Sequence, residues 1–585
     1  MTFSGRRGVK MNYIVCFLLA IIMFVIAAVK FFGKSENKLV TTGAGIFLAL
    51  FALFFPSESC SGVAQTINSI IITIVRSIKV FGLNEDFFAS EFDFGTLPLW
   101  FTALYIFLLN LLYLLAPLLT FGLILSVFSN IYSGFRLILS GMGKVYVFSG
   151  MNARSAILAE DIRKKDANAV IVFFNSENSA FCMRNRIICF NNNITEINPF
   201  ILRHAKQLVF FICDDNESDN LSNAIKILNT VNEDPKCTGD NIDLHYFSSL
   251  KKSVPLLNAI DKRDVRVRRI NESQNFVYNF IFTNPILGYR NKADENKAIN
   301  AAIVGMGQYG EEYLRAAVWS AQDPDYKLNI NVFDIRNVKQ GLSVKYPELI
   351  NTENLADKDE INYKVNFFDG ADIFETCIED IPEMKSTNIV LVALGNDELN
   401  FEASIYLREC FERMNIKPDI FTVMSGMDLN GNNKINITDH KHNSYNVSFL
   451  TCEDNYTYDR VMNTELERIG KRMHLMWSGD NPDDKKSSFY TFEYNYRSSI
   501  AASMFWEIRE NLGMNVEENE ENLRLEHWRW NAYMRSEGFR YAEERNDMAK
   551  KHNCLVPFDK LDENVKKYDV YPIRSVMDKK SEEKK

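Results

Sequence analysis

Residues 300–321 read NAAIVGMGQYGEEYLRAAVWSA. A short apolar run leads into Gly305-x-Gly307-x-x-Gly310, and apolar positions at helical spacing follow, so the segment reads as strand, tight turn and helix. Gly305 permits the turn, Gly307 lets phosphate approach the backbone, and Gly310 lets helix and strand pack. The next apolar run, INVFD, ends at Asp334, an acid able to accept from a ribose hydroxyl. Further runs place Asp369 and Asp372 (VNFFDGAD), then Asn396 and Asp397 (VALGNDELN), at strand ends, where open parallel sheets hold their ligands. The expectation is an α/β nucleotide-binding domain over 298–455. Its nucleotide or NAD(H) site would comprise Gly305, Gly307, Gly310, Asp334, Asp369, Asn396 and Asp397; a fold retained without ligand is the competing reading.

Upstream, KVYVFSGMNARSAILAEDIRKKDANAVIVFFN (144–175) repeats the pattern in degraded form. Only Gly150 remains of the glycines, with Asn152 and Ser155 in the other places, and Asn175 stands where the acid belongs. Close approach of a pyrophosphate needs the missing glycines, which favours a structural role for this unit over dinucleotide binding. Strands at QLVFFICDDNESDN and DLHYFSS continue the alternation, so 144–295 is a second, degraded Rossmann-like domain.

The first 140 residues differ in kind. Residues 11–32 carry Lys30 as their one charge, over the roughly 20 residues that cross a bilayer. No A-x-A site follows, and a second apolar run begins at Leu39, which favours a retained span over a signal peptide. No charge occurs between Asp93 and Arg136; a continuous helix there would be about 60 Å long and must tilt, kink at Pro117 or protrude. The reading is about three spans (11–32, 39–56, 97–133) with an amphipathic helix at 61–81, carrying Arg76 and Lys79, that is interfacial or re-entrant. Glu85, Asp86, Glu91 and Asp93 precede the third span, as a pore mouth that concentrates cations or as a solvated loop. No TVGYG filter is present, and basic residues divide evenly around the first span, so the positive-inside rule does not settle the topology.

Composition narrows the functions. Over 585 residues, 24% charged and 47% hydrophobic residues exclude a disordered or collagen-like chain. Net charge is −9 with no Lys/Arg stripe, which argues against a nucleic-acid polymer as partner. The ten cysteines form no CxxC pair, so neither a zinc ribbon nor a disulfide scaffold is expected, and the soluble part is placed in a reducing cytoplasm. In DLNGNNKINITD, Asp428, Asn430, Asn432 and Asp439 take EF-hand positions, but glycine stands at position 4 instead of 6, so a polar loop is read and no metal is expected. His440 and His442 beside it read as surface residues, and 576–585 as a solvated tail.

From Tyr456 on, four of the six tryptophans (Trp477, Trp506, Trp528, Trp530) lie among Tyr and Arg residues, which suggests a small helical domain with an aromatic core or pocket. Arg497 and Arg545 are candidates to fork onto phosphate, with Trp530 and Tyr541 stacking a base. His527 beside Glu526 has no nucleophile or metal set near it, so a packing or orienting role is preferred and no enzyme activity is expected.

Two resemblances add to this. A transmembrane segment feeding two Rossmann units, the second with GMGQYGEE and ALGNDELN, resembles the regulator-of-potassium-conductance (RCK, TrkA-N) domains of ligand-gated channels over roughly 144–455. In that family such pairs bind nucleotides or cations and form gating rings. The C-terminal segment 456–575 resembles the ryanodine-receptor-type (RyR) domain of bacterial signalling proteins, through Tyr496, Arg497 and Ser498, Glu526, His527 and Trp530, Gly538, Tyr541, Arg545 and Asp547, and HNCLVPFDKL. It implies ligand binding at Tyr496, Arg497, His527, Trp530, Tyr541, Arg545 and Asp547. Together they imply a homo-oligomeric, multi-pass protein of the bacterial inner membrane with cytoplasmic domains: a nucleotide-gated ion channel, as in a cyclic-nucleotide effector of antiphage defence. The alternative is an NAD(H)-binding regulatory subunit of potassium transport.

Overall fold

The computed structural model describes residues 3–32, 38–57, 63–82, 92, 94, 97–139, 143–176, 180–250, 256–257, 260–424, 446–451, 455–462, 464–482, 487–491 and 493–583. Glu85, Asp86, Glu91 and Asp93, and the polar loop with Asp428, Asn430, Asn432, Asp439, His440 and His442, lie outside the described residues. Two compact units divide the chain, Met1–Arg136 and Leu137–Lys585.

The first unit is built from α1 (Phe3–Phe32), α2 (Lys38–Phe54), α3 (Val63–Phe81) and α4 (Leu99–Leu139). Three helices are long and apolar enough to cross a membrane, over Tyr13–Phe31, Val63–Phe81 and Leu99–Phe121. The set differs from the sequence reading. The 17 residues of α2 reach about 26 Å, short of the roughly 30 Å of hydrocarbon. In its place α3 meets the length and composition of a span. Ser69, Thr73 and Ser77 are buried, and the Thr73 and Ser77 hydroxyls donate to carbonyls one turn back at 2.7 and 2.8 Å. Ile67, Ile71, Val75 and Ile78 face outward. Gln65, Asn68 and Lys79 are exposed beside these apolar residues. Small residues seat α1 on α2: a Cβ on Gly45 would come within 2.8 Å of the Ala27 Cβ. α4 runs unbroken through Pro117.

The second unit holds two six-stranded parallel sheets. β1 (Lys144–Phe148), β2 (Val170–Phe173), β3 (Ile188–Cys189), β4 (Gln207–Ile212), β5 (Ile242–Phe247) and β6 (Arg266–Ile270) pair in the order β3-β2-β1-β4-β5-β6. β7 (Ala298–Val304), β8 (Lys327–Asp334), β9 (Tyr363–Asp369), β10 (Thr387–Val392), β11 (Asp419–Met424) and β12 (Val447–Thr451) pair in the order β12-β11-β10-β7-β8-β9. Counted within each sheet, both orders are 3-2-1-4-5-6, with the reversal beside the first strand, where doubly wound sheets open a crevice. The inner strands, such as β4, β7 and β10, are buried on both faces and read as near-continuous apolar runs, whereas the edge strands β6 (RVRRI) and β9 (YKVNFFD) are only partly buried. In the first sheet Val145, Val147, Phe210 and Leu244 line one core, and Tyr146, Phe148, Phe211 and Phe173 the other.

Helices of the first half include α5 (Ala153–Lys165), α6 (Ala180–Arg184), α7 (Pro199–His204), α8 (Glu217–Glu233) and α9 (Glu272–Thr283). The second sheet carries α10 (Gln308–Ser320), α11 (Val338–Lys345), α12 (Pro347–Ile350) and α13 (Asp397–Arg413). After β12 the chain returns to the first sheet, where Tyr456 and Val461, the latter on α14 (Tyr458–Val461), join its aromatic core. The C-terminal module follows as α15 (Thr464–Ser478), α16 (Ser488–Thr491), α17 (Glu493–Asn511), α18 (Glu520–Ser536), a short pair β13 (Arg540–Tyr541) and β14 (Lys551–His552), α19 (Glu563–Lys566) and α20 (Val570–Glu583). Its Leu466, Ile500, Trp506, Leu525, Tyr533 and Ile573 belong to one core with Ala301 and Ile303 of the second sheet and with Tyr313 and Trp319 of α10.

Candidate functional site

The strand order of the second sheet reverses between β7 and β10, which stay paired to Val304 and Val392, so the crevice of a doubly wound sheet belongs beyond their carboxyl ends. Gly305 has φ +94°, and a Cβ there would lie 2.5 Å from the Ala393 carbonyl oxygen that follows β10. A Cβ on Gly310 would lie 2.0 Å from the Gly305 carbonyl oxygen. These two glycines are therefore demanded by the fold itself. Gly307 is not: it is exposed, its φ of −73° suits any residue, and a Cβ would meet only the Ala393 oxygen at 3.9 Å. It is also the N-cap of α10 and caps nothing with a side chain, so the first N–H groups of that helix face the space beside Gly307. Partial positive charge and open room coincide there, which is what a phosphate requires.

Asp334 ends β8 as expected, but its oxygens are already engaged. Oδ2 accepts from the Met306 N–H at 2.8 Å and Oδ1 from the Arg336 N–H at 2.8 Å, while the Arg336 guanidinium forks onto both at 2.9 Å. Burial alone would raise this carboxyl; the hydrogen bonds from Arg336 and from the Met306 N–H override it and hold the group below its usual range. Asp334 thus braces the glycine turn, and a ribose hydroxyl would have to displace Arg336. Sequence reading passes over Arg336, although its place two residues after the acid is visible there.

Asp369 pairs in register with Asp334 on the next strand, and its carboxylate caps α11 by accepting from the Val338 and Lys339 N–H groups at 3.0 and 3.3 Å. Asn396 caps α13, accepting from the Leu399 N–H at 3.1 Å, with Asp397 in the first turn. All seven candidate residues of this domain therefore gather at the carboxyl ends of β7, β8, β9 and β10. The corresponding place in the first sheet is closed by its own side chains. Asn152 and Ser155 form a capping box at the start of α5, and a Cβ on Gly150 would meet Asp214 Oδ1 at 2.8 Å.

What the crevice feeds is α10, buried at every residue from Glu312 to Ser320. Two charges are carried inward on it. Arg315 pairs with Glu312 at 2.6 Å, donates to the Ser536 carbonyl at 2.6 Å, and pairs with Glu537. Trp319 meets Tyr533 edge-on with centroids 6.2 Å apart. The helix whose N-terminus faces the crevice is thus the helix on which the C-terminal module rests.

Of the seven candidate residues of that module, Tyr496 and Arg497 lie by β6, while His527, Trp530, Tyr541, Arg545 and Asp547 adjoin one another through His552, which meets Trp530, pairs with Tyr541 and feels the charges of Arg545 and Asp547. Tyr496 and Arg497 face β6: Arg268 donates to the Tyr496 hydroxyl at 2.6 Å and lies 4.9 Å from its ring centroid, and Arg497 pairs with Glu493. His527 and Trp530 stack with centroids 5.9 Å apart, and Trp530 meets His552 edge-on at 4.9 Å. His527 donates through Nε2 to the Val556 carbonyl at 2.8 Å, and burial pushes its pKa down to about 4, so it is a neutral packing group near pH 7. Tyr541, Arg545 and Asp547 are exposed, with Arg545 forked onto Asp547 at 2.8 and 2.9 Å. Arg497 and Arg545 share no partner among the described residues, so a single phosphate held by both is not preformed. Among the described residues no group of His, Cys, Asp and Glu is placed to hold a metal ion.

No curated protein matches the chain. Residues 508–579 match the family model of the RyR domain, so the C-terminal module from within α17 to α20 contains an RyR domain, with Tyr496 and Arg497 ahead of the matched stretch.

Proposed function

We propose that this is a membrane protein that senses a nucleotide-type ligand in the glycine crevice of the second sheet and relays its binding through α10 to the RyR domain and on to the membrane helices, as a ligand-gated channel does. The carrying observation is the pattern of space at the three glycines: Gly305 and Gly310 admit no Cβ, whereas Gly307 admits one and leaves room at the uncapped end of α10. The shared strand order of the two sheets supports the Rossmann-like reading and the likeness to RCK pairs. Three candidate spans are too few to enclose a pore alone, so the channel reading carries homo-oligomerisation with it. Antiphage defence is the version in which the ligand is a cyclic nucleotide. The second reading, an NAD(H)-binding regulatory subunit of potassium transport, uses the same crevice and requires Asp334 to exchange Arg336 for the adenosine ribose.

The test is a thermal-shift screen of the full chain in detergent against NAD(H), ADP, ATP and cyclic mono- and oligonucleotides, repeated with Gly307→Asp. Aspartate is a good N-cap, so this variant should fold at least as well as the parent while repelling phosphate. Stabilisation of the parent by a nucleotide, lost in Gly307→Asp, supports the crevice as the site. No stabilisation by any nucleotide, or equal stabilisation of both proteins, overturns it. Ligand-dependent conductance of the reconstituted chain alone separates channel from regulator.

A further inference from the structure

The acid at the end of the second strand is where a doubly wound sheet reads the ribose of its nucleotide. Here that acid is fully engaged. Asp334 is buried, and each of its oxygens accepts twice: Oδ2 from the Met306 N–H at 2.8 Å and Arg336 Nη2 at 2.9 Å, Oδ1 from the Arg336 N–H at 2.8 Å and Nε at 2.9 Å. A carboxylate has about four lone-pair sites, so none is left for a ribose hydroxyl. A ligand at this strand end meets Arg336 instead, whose side chain is 62% exposed. The fork onto Asp334 uses two of the five guanidinium N–H groups, and Nη1 has no partner among the described residues. Through Asp334 Oδ2 the guanidinium stands two hydrogen bonds from the N–H of Met306, the residue before Gly307. The neighbouring acids are already held. Glu311, in the first turn of α10, accepts from Lys345 and Tyr346 at 2.7 Å each, and Asp369 accepts from the first N–H groups of α11. A charged group that only donates is matched better by a phosphate oxygen than by a neutral hydroxyl.

We propose that Arg336 selects nucleotides that carry a second phosphate on the ribose itself, at the 2′ or 3′ position, in addition to the 5′-phosphate placed at Gly307. The inference rests on the glycine crevice being the nucleotide site, and it orders the ligands of that site. A ribose 2′- or 3′-phosphate, whether a monoester or a phosphodiester, binds ahead of NAD(H), ADP and ATP, whose adenosine ribose offers two hydroxyls to an acid without a free lone pair.

The experiment is a calorimetric titration of the full chain in detergent with ADP, adenosine 2′,5′-bisphosphate and adenosine 3′,5′-bisphosphate, which carry two phosphates each and differ in where the second one sits. At least one bisphosphate should bind roughly tenfold more tightly than ADP, and which of the two does so separates 2′ from 3′ recognition. Arg336→Gln should erase that preference and, by freeing two sites on Asp334, leave ADP binding unchanged or tighter. Arg336→Lys keeps the charge without the fork and should retain part of the preference. Equal affinity for all three compounds, lost together in Gly307→Asp, overturns this proposal while the crevice stands as the nucleotide site. A bisphosphate preference that survives Arg336→Gln overturns it as well. Binding of none of the three overturns it too, and with it the crevice reading if the wider nucleotide screen is equally silent. Should Arg336→Gln not fold, the preference of the parent and its reduction in Arg336→Lys decide the question.

Discussion

Asp569 sits buried on the C-terminal module, its carboxyl Oδ2 unmatched by any hydrogen-bond donor among the described residues. Burial, then the nearby Glu526 carboxylate, push its pKa well above the usual range against the pull of Arg529. The folded protein holds this proton where the unfolded chain releases it, so its contribution to stability is full below about pH 4 and is lost as pH rises. Asp569→Asn should therefore raise the melting temperature at pH 7 to 8 and leave it unchanged near pH 4; a loss of stability at pH 7 would show the carboxylate to be charged and paired. Histidines act in the opposite direction. His527 and His552 are both pushed down to about 4, by burial first. The unfolded chain takes up these protons between roughly pH 6.5 and 4, so stability is lost as pH falls through that window, by up to about 1.4 kcal/mol per pH unit for each group. Melting curves from pH 7 to 5 should show the loss, and His552→Gln should flatten it. Neither effect is legible from residue type: His527 beside Glu526 looks like an acid–base pair in sequence, and only its burial against Trp530 and the Val556 carbonyl makes it inert.

At the scale of the element, α10 and α3 show where pattern reading holds and where it stops. The glycine spacing predicts the turn and the close packing, and the distances at Gly305 and Gly310 agree with it. Gly310→Ala should accordingly cost several kcal/mol or prevent folding, because its Cβ would sit 2.0 Å from a carbonyl oxygen of the turn, which is backbone and cannot step aside. Gly307→Ala should leave the melting temperature within a degree or two in the absence of ligand. Equal damage from both would mean that Gly307 serves the fold. The sequence reads α3 as amphipathic, and it is, but with the polar stripe Ser69, Thr73 and Ser77 turned inward. Helical periodicity gives the stripe and not the side from which solvent or lipid approaches. Ile71→Lys on the outward face should reduce recovery in the membrane fraction, whereas Ile71→Leu should not; unchanged recovery of the lysine variant would remove α3 from the spanning set.

Within the second unit, charges are paired across sequence-distant elements. Arg509 of α17 reaches Asp323 at 2.8 Å, with both side chains nearly buried. Arg535 and Asn531 of α18 converge on Asp357, at 2.6 and 3.0 Å. Removing one partner of such a pair leaves the other charge stranded, so Arg509→Ala should cost about 3 to 5 kcal/mol, read as a lowered denaturation midpoint of the second unit. Deleting the C-terminal module beyond 455 would strip Trp319, Tyr313 and Arg315 of their cover and should yield an aggregating protein. A soluble, cooperatively melting 137–455 fragment would show that the second sheet stands without the RyR domain.

Local chemistry determined much of this from the sequence alone. Hydropathy over some twenty residues marks the apolar helices, alternation of apolar strands with helices yields two parallel sheets, and spaced aromatic and basic motifs mark the RyR domain, because each signal depends on neighbours along the chain. Which apolar helices are long enough to cross a membrane, that Asp334 is held by Arg336, and that Arg497 and Arg545 pair with different carboxylates were decided by tertiary structure. So were the partners of Arg315, Arg509 and the arginines of RVRRI. A buried charge must find its counter-charge wherever the docked elements place it, and that place is set by packing between segments 178 to 228 residues apart, at distances along the chain where no pattern reaches.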